Sequence, residues 1–142
     1  VNRAEMYCSE LLNGLIDGKA DPVISCETGS IANIDGRNSL GAVVSKFAME
    51  VCIKKAKATG VGFVVCHNSN HFGIAGFWSQ MALQEGLIGF AFTNTSPFMV
   101  PTRTDKRAAG TNPIACFCPA AGGDSFQLDM ATTTVPAGKL EV

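Results

Sequence analysis

Gly60-Val61-Gly62-Phe63-Val64-Val65-Cys66-His67-Asn68-Ser69-Asn70-His71-Phe72-Gly73 is the stretch that decides the fold. Residues 61–66 form a continuous apolar run, the pattern of a strand covered on both faces. Residues 67–72 are a polar loop. In residues 73–85, Ile74, Phe77, Trp78, Met81 and Ala82 recur at helical spacing, and Gly86 supplies a stop. Residues 87–93 are a second apolar run and read as a second covered strand. Strand, helix, strand with covered strands predicts an α/β architecture.

On the N-terminal side, residues 42–59 read as a helix. Val43, Val44, Phe47, Ala48, Val51, Cys52 and Ala56 form its apolar stripe, lysines gather in its last turns, and Gly60 ends it. Residues 23–27 and 30–34 read as two short strands around Thr28-Gly29, and Asp35-Gly36 is a turn. A first helix begins at the start of the chain, with Ala4, Met6, Leu11, Leu12, Leu15 and Ile16 on one face and Gly18 as its stop. On the C-terminal side, residues 94–101 are a loop with two prolines and residues 109–112 another. Residues 114–118 are a third strand, Gly122-Gly123-Asp124 a turn, and residues 125–128 a further strand. Val135-Pro136-Ala137-Gly138-Lys139 reads as a helix just starting. Beginning and ending inside helices, with Val1 in first place, the chain is expected to be a fragment of a larger protein.

The 142 residues suit one ordinary domain, and 46% hydrophobic against 16% charged content places the chain among folded proteins rather than disordered ones. Eleven basic and twelve acidic residues give a net charge of −1, without the basic excess of nucleic-acid domains. The one dense basic run is Lys54-Lys55-Ala56-Lys57. No stretch reads as a membrane span. These exclusions favour a small-molecule ligand. The six cysteines are too sparse for a disulfide scaffold and several lie in apolar runs, so reduced thiols and a cytoplasmic setting are expected.

Four constellations could carry chemistry. His67 and His71 are the two histidines of the chain, and they follow a strand and precede a helix, where α/β sheets collect ligands. A histidine there can act as general acid and base, or can simply hydrogen-bond the loop. Their spacing of four would suit one metal ion on a helix, but Asn68-Ser69-Asn70 disfavours helix and no metal is expected. Gly60-x-Gly62 and Gly73-x-x-Gly76 fit neither GxGxxG nor a Walker A loop. Residues 93–97 and Gly110-Thr111-Asn112-Pro113 could present hydroxyl and amide donors to an anion, or be plain turns. Asp129-Met130-Ala131-Thr132-Thr133-Thr134, between a strand and a helix start, could bind an anion or only cap the helix.

Taken in order, Asn68-Ser69-Asn70-His71-Phe72-Gly73-Ile74-Ala75-Gly76, Gly110-Thr111-Asn112-Pro113-Ile114-Ala115, Asp129-Met130-Ala131-Thr132-Thr133 and Ala137-Gly138-Lys139 resemble the type-2 malate/L-lactate dehydrogenase family. This family includes ureidoglycolate, sulfolactate and piperideine-2-carboxylate oxidoreductases. The resemblance covers nearly the whole chain. It implies a non-Rossmann NAD(P)-binding α/β fold, with residues 1–142 part of one oxidoreductase domain. About 1–60 would be a helix-hairpin-helix part, and about 61–142 an α/β part with the catalytic histidine and the cofactor loop.

The same resemblance implies interconversion of a small 2-hydroxy acid and its 2-oxo acid with NAD or NADP, in a homodimer. His71 matches the catalytic histidine, Arg3 an arginine that binds the substrate, and Thr95 a hydroxyl that contacts it. Asp129, Met130, Ala131 and Asn112 match cofactor-binding positions. Two departures stand out. The family's Ser-His-Gly before the position of Arg3 and its C-terminal half are absent. Thr102-Arg103-Thr104 stands where the family often has Gly-Gly after the proline matching Pro101, which leaves Arg103 either near a ligand or solvated. The choice between NAD and NADP and the identity of the acid are left open. A truncated or diverged module that only binds nucleotide or dimerises is the alternative.

Overall fold

A computed structural model of the chain describes residues 3–133; the expected helix start at 135–139 lies outside the described residues. The chain divides into two compact units, Val1–Ile74 and Ala75–Val142. The boundary between these units falls after residue 74, because the strand at 63–67 pairs with the strand at 31–35.

In the first unit, α1 (Ala4–Leu12) ends a turn earlier than its apolar stripe suggests. Asn13-Gly14 is the cause. Gly14 adopts φ +70°. Its N–H donates to the Leu11 carbonyl at 3.2 Å, and Leu15 N–H donates to the Glu10 carbonyl at 2.9 Å. This paired closure satisfies carbonyls that the helix end leaves open and turns the chain away.

Next come β1 (Val23–Glu27), β2 (Ile31–Asp35), α2 (Gly41–Thr59) and β3 (Phe63–His67). β1 and β2 form an antiparallel hairpin, and β3 returns parallel to β2. A parallel pair needs a long crossover, and α2 supplies it. The β2–α2–β3 unit therefore makes this an α/β fold, not the strand–helix–strand of residues 61–93.

Ile34, Val44 and Ala48 form the core, with Ile24, Phe47 and Val64 packed against them. Ala32 and Ile34 alternate inward along β2, while Val44 and Ala48 lie one turn apart on α2. Lys55, from the basic run, is buried, and its ammonium donates to Glu27 Oε2 at 2.7 Å and to the Thr28 carbonyl at 2.6 Å. It ties α2 to the β1–β2 turn. β3 is the edge of its three-stranded sheet. Phe63 and Val65 on its outer face are 51% and 48% exposed, so the described residues leave that face of the run uncovered.

The second unit packs α3 (Ala75–Gln84) on an antiparallel sheet of β4 (Gly89–Phe92), β5 (Ile114–Pro119) and β6 (Ser125–Met130), in that order. α3 starts at Ala75 rather than Gly73, since Gly73 has φ +88°. Ala75, Trp78 and Ala82 are buried at helical spacing, as are Ala91, Ala115 and Phe117 on alternate sheet positions. Phe90, Phe92, Ile114, Phe126 and Met130 are exposed. The 87–93 run therefore alternates in and out, as one face of an antiparallel sheet does. Among the described residues no helix is long and apolar enough to cross a membrane.

Ser79 lies fully buried in α3, and its hydroxyl finds no partner among the described residues. An orphaned buried hydroxyl is unfavourable by about 1 kcal/mol or more. Ser79→Ala should raise the melting temperature by roughly 2–5 °C. A lower melting temperature would reveal a partner for that oxygen.

Candidate active site

The parallel strands β2 and β3 end together, with Asp35 opposite His67. The C-terminal ends of such strands are where open α/β sheets hold ligands. His67 is the last residue of β3 rather than the first of the loop. The loop beyond it is clamped to the turn that leads into α2. Gly36 N–H donates to the His67 carbonyl and Asn38 N–H to the Asn68 carbonyl, both at 2.9 Å. Asn68, at φ +51°, sends its amide to Asp35 Oδ1 at 3.1 Å. The Arg37 N–H and then the Asn68 amide hold the Asp35 carboxyl below the usual carboxylate range.

Asn70 is the main pin. Its amide nitrogen faces the Asn38 carbonyl at 3.2 Å, Asn38 Oδ1 at 3.0 Å and the Ser39 carbonyl at 2.9 Å. Asn70→Ala should lower stability by about 1–2 kcal/mol, read as a drop in melting temperature. An unchanged melting temperature would show that the pin is dispensable.

These clamps hold His71. Its Nδ1 lies 2.6 Å from the Tyr7 hydroxyl, and Gly73 N–H donates to the same nitrogen at 3.3 Å. The Tyr7 and His71 ring centroids are 5.7 Å apart. A backbone N–H can only donate, so Nδ1 is the acceptor and the neutral ring carries its proton on Nε2. α1 supplies the rest: Arg3 sits one turn before Tyr7, with Tyr7 N–H on the Arg3 carbonyl at 3.1 Å. Partial desolvation of the ring, whose edge still reaches solvent, lowers the His71 pKa from its ordinary value. The Arg3 charge lowers it further, and Glu10 opposes both. Desolvation also raises the Tyr7 pKa. His67 turns elsewhere, to Asn33 Oδ1 at 3.0 Å, so the two histidines have different partners. Among the described residues no three His, Cys, Asp or Glu are grouped to hold a metal ion.

The second unit joins Thr95 and Asn112 directly. Thr95 N–H donates to Asn112 Oδ1 at 3.2 Å, and Asn112 N–H donates to Thr95 Oγ1 at 3.4 Å. The Thr95 and Thr111 hydroxyls are 3.3 Å apart. Thr132 N–H and Oγ1 both donate to the Thr111 carbonyl, at 2.9 and 3.1 Å. Asp129 and Met130 are the last two residues of β6. Asp129 Oδ2 accepts Gly76 N–H at 2.9 Å in the first turn of α3, where an anion is favoured. Met130 is exposed and Ala131 half-buried. Arg103 is exposed at φ +65° in its loop.

Three participants escaped the sequence reading: Tyr7, Asn70 as a clamp, and Gly41. Tyr7 left a signal, being the sole tyrosine and four residues after Arg3. Asn70 and Gly41 act on backbone distant in sequence and left none.

A sequence profile of malate/L-lactate dehydrogenases matches residues 1–142. The chain is 45% identical to a malate dehydrogenase of Pyrococcus horikoshii over 142 residues, all of this chain and 39% of that protein. It is likewise 45% identical to an L-sulfolactate dehydrogenase of Methanocaldococcus jannaschii, over 99% of this chain and 40% of the relative. The solved structure of the Pyrococcus horikoshii enzyme superposes with a TM-score of 0.94, covering 98% of this chain and 40% of that one. A Pseudomonas putida Δ1-pyrroline-2-carboxylate/Δ1-piperideine-2-carboxylate reductase is 31% identical, over all of this chain and 42% of the reductase. The chain thus spans about two-fifths of the length of these relatives.

Proposed function

The chain belongs to the malate/L-lactate dehydrogenase family, and on that premise we propose that the whole protein is an NAD(P)-dependent oxidoreductase interconverting a small 2-hydroxy acid and its 2-oxo acid. The observation that carries this reading is His71. It is a partly desolvated imidazole, tethered at Nδ1 by Tyr7 and Gly73, with Nε2 left to exchange a proton.

A bound nicotinamide nucleotide would supply or take the hydride. The hydrogen-bonding groups of the second unit suit its carboxamide and ribose hydroxyls. Asn112 commits Oδ1 to Thr95 and keeps its NH2 group, and Asp129 commits Oδ2 to Gly76 and keeps Oδ1. Asn112, Asp129, Met130 and Ala131 would hold it. The site is of a non-Rossmann kind in this reading, since no GxGxxG turn joins a strand to a helix.

In the reducing direction, the carbonyl oxygen that becomes an alkoxide needs a proton, and the His71 imidazolium gives one from Nε2. In the oxidising direction the neutral ring takes it back at Nε2 in the tautomer that keeps its hydrogen on Nδ1, where the Tyr7 oxygen can accept it. The Arg3 guanidinium pairs with the substrate carboxylate, for which its fork of donors is suited. The Thr95 hydroxyl contacts the substrate. A second copy of the chain is the expected partner.

The test is nucleotide oxidation by the whole natural protein, offering NADH and NADPH separately against oxaloacetate, pyruvate and a cyclic imino acid. Turnover with one pairing names cofactor and substrate class. Silence with every pairing, in a folded and complete protein, overturns the reading in favour of a diverged binding module.

A further inference from the structure

Two groups converge on one nitrogen of His71, and they differ in kind. The Gly73 N–H, 3.3 Å from Nδ1, can only donate. The Tyr7 hydroxyl, 2.6 Å away, can donate or accept. While the resting imidazole is neutral, with its hydrogen on Nε2, Nδ1 accepts from both. When the ring is protonated, Nδ1 carries a hydrogen that opposes the Gly73 N–H, and the Tyr7 oxygen is the acceptor at hand.

From this juxtaposition we propose that Tyr7 is a positioning residue for proton transfer: its hydroxyl reverses from donor to acceptor as His71 gains a proton, so the imidazole keeps one orientation, Nε2 outward, in both states. The proposal rests on the reading that His71 exchanges the substrate proton. In the reducing direction the Nε2–H bond breaks, its electron pair stays on nitrogen, and the substrate oxygen gains the proton. Nδ1 meanwhile keeps its hydrogen on the Tyr7 oxygen, and solvent then restores the proton on Nε2. The charged groups that act on the pair, Arg3 and Glu10, both come from α1 and are untouched by a change at Tyr7.

Tyr7→Phe keeps the ring contact and removes the hydroxyl. The neutral imidazole then still has the Gly73 N–H, but the charged one has lost its acceptor, so the charged form suffers more. In the whole protein kcat should fall by about 10–100-fold with the nucleotide KM unchanged. The basic limb of the pH profile for 2-oxo acid reduction should move to lower pH by about half a unit to one unit. Nitrogen NMR of the His71 ring, assigned by difference from His71→Ala, should show the same downward shift without any turnover.

Unchanged kcat and an unmoved pH limb in Tyr7→Phe overturn the proposal. So does a fall in kcat with both the limb and the NMR titration in place, which marks Tyr7 as merely structural. If His71→Ala turns over like the wild type, the reading of His71 itself fails, and the NMR titration still decides whether Tyr7 governs the ring.

Discussion

His71→Ala is expected to lower turnover of the whole protein by about 10²–10⁴, with nucleotide affinity held within about twofold. The size follows from the role. A positioned proton donor contributes that much, and the rest of the catalytic power, from orientation and hydride transfer, survives its loss. His67→Ala is the matched control. That ring bonds Asn33 rather than Tyr7, so its removal should leave turnover close to wild type.

The pH dependence has a definite sign. Partial desolvation first, and the Arg3 charge second, hold His71 below the ordinary value of about 6.5. With His71 as the proposed proton donor, reduction would use the charged ring, so its rate should decline as pH rises through a point below 6.5. Oxidation would use the neutral ring, which is already the dominant form at pH 7, so its rate should be level there. Rates in both directions from pH 5 to 8 measure this. A reduction limb well above pH 6.5 would show that another group gives the proton.

The histidine loop was legible in sequence because its signals are local. Asn-Ser-Asn-His after an apolar run announces a loop at a strand end, and Asn68 to Gly73 is that loop. Gly60 as the end of α2 was equally legible, since a left-handed glycine after a lysine-rich turn is a local device. Pairing was not legible. Residues 61–66 and 87–93 are both apolar runs, and apolarity alone does not separate an edge strand with one covered face from a strand buried on two. Nor does it say that β3 joins β2 while β4 joins β5, in separate sheets. The role of Asp129 was masked for the same reason. Its backbone N–H partner, Gly76, lies 53 residues away on α3, and no spacing rule reaches that far. Tyr7 stood in the i+4 relation to Arg3, but its partner His71 is 64 residues on.

Gly41→Ala should have the largest structural effect of any single methyl group in this loop system, and its sign runs against propensity. Gly41 is the first residue of α2, where alanine is the better helix former by about 1 kcal/mol. Propensity alone would make the change stabilising. Packing reverses it, because a Cβ at this position would collide with the backbone carbonyls of Asn70 and His71. Backbone pinned by the Asn70 amide and the Asn38–Asn68 hydrogen bond cannot yield as a flexible side chain would. Either α2 shifts or the histidine loop does.

A net loss of about 3 kcal/mol is expected, at the upper end of overpacking costs. Well below the unfolding transition, kcat should also fall by about 10²-fold, the effect of moving a catalytic group by about an ångström. Gly60→Ala separates strain from collision. Gly60 has φ +86° and nothing near its missing Cβ, so alanine there should lower stability by about 1 kcal/mol and leave kcat alone. Thermal unfolding and kcat of both variants decide the matter. If Gly41→Ala unfolds and turns over like the wild type, the close approach of α2 to the histidine loop does not set the position of His71. If it loses both while Gly60→Ala loses only stability, the absence of one methyl group at the start of α2 is what lets the chain bring its histidine within hydrogen-bond reach of Tyr7.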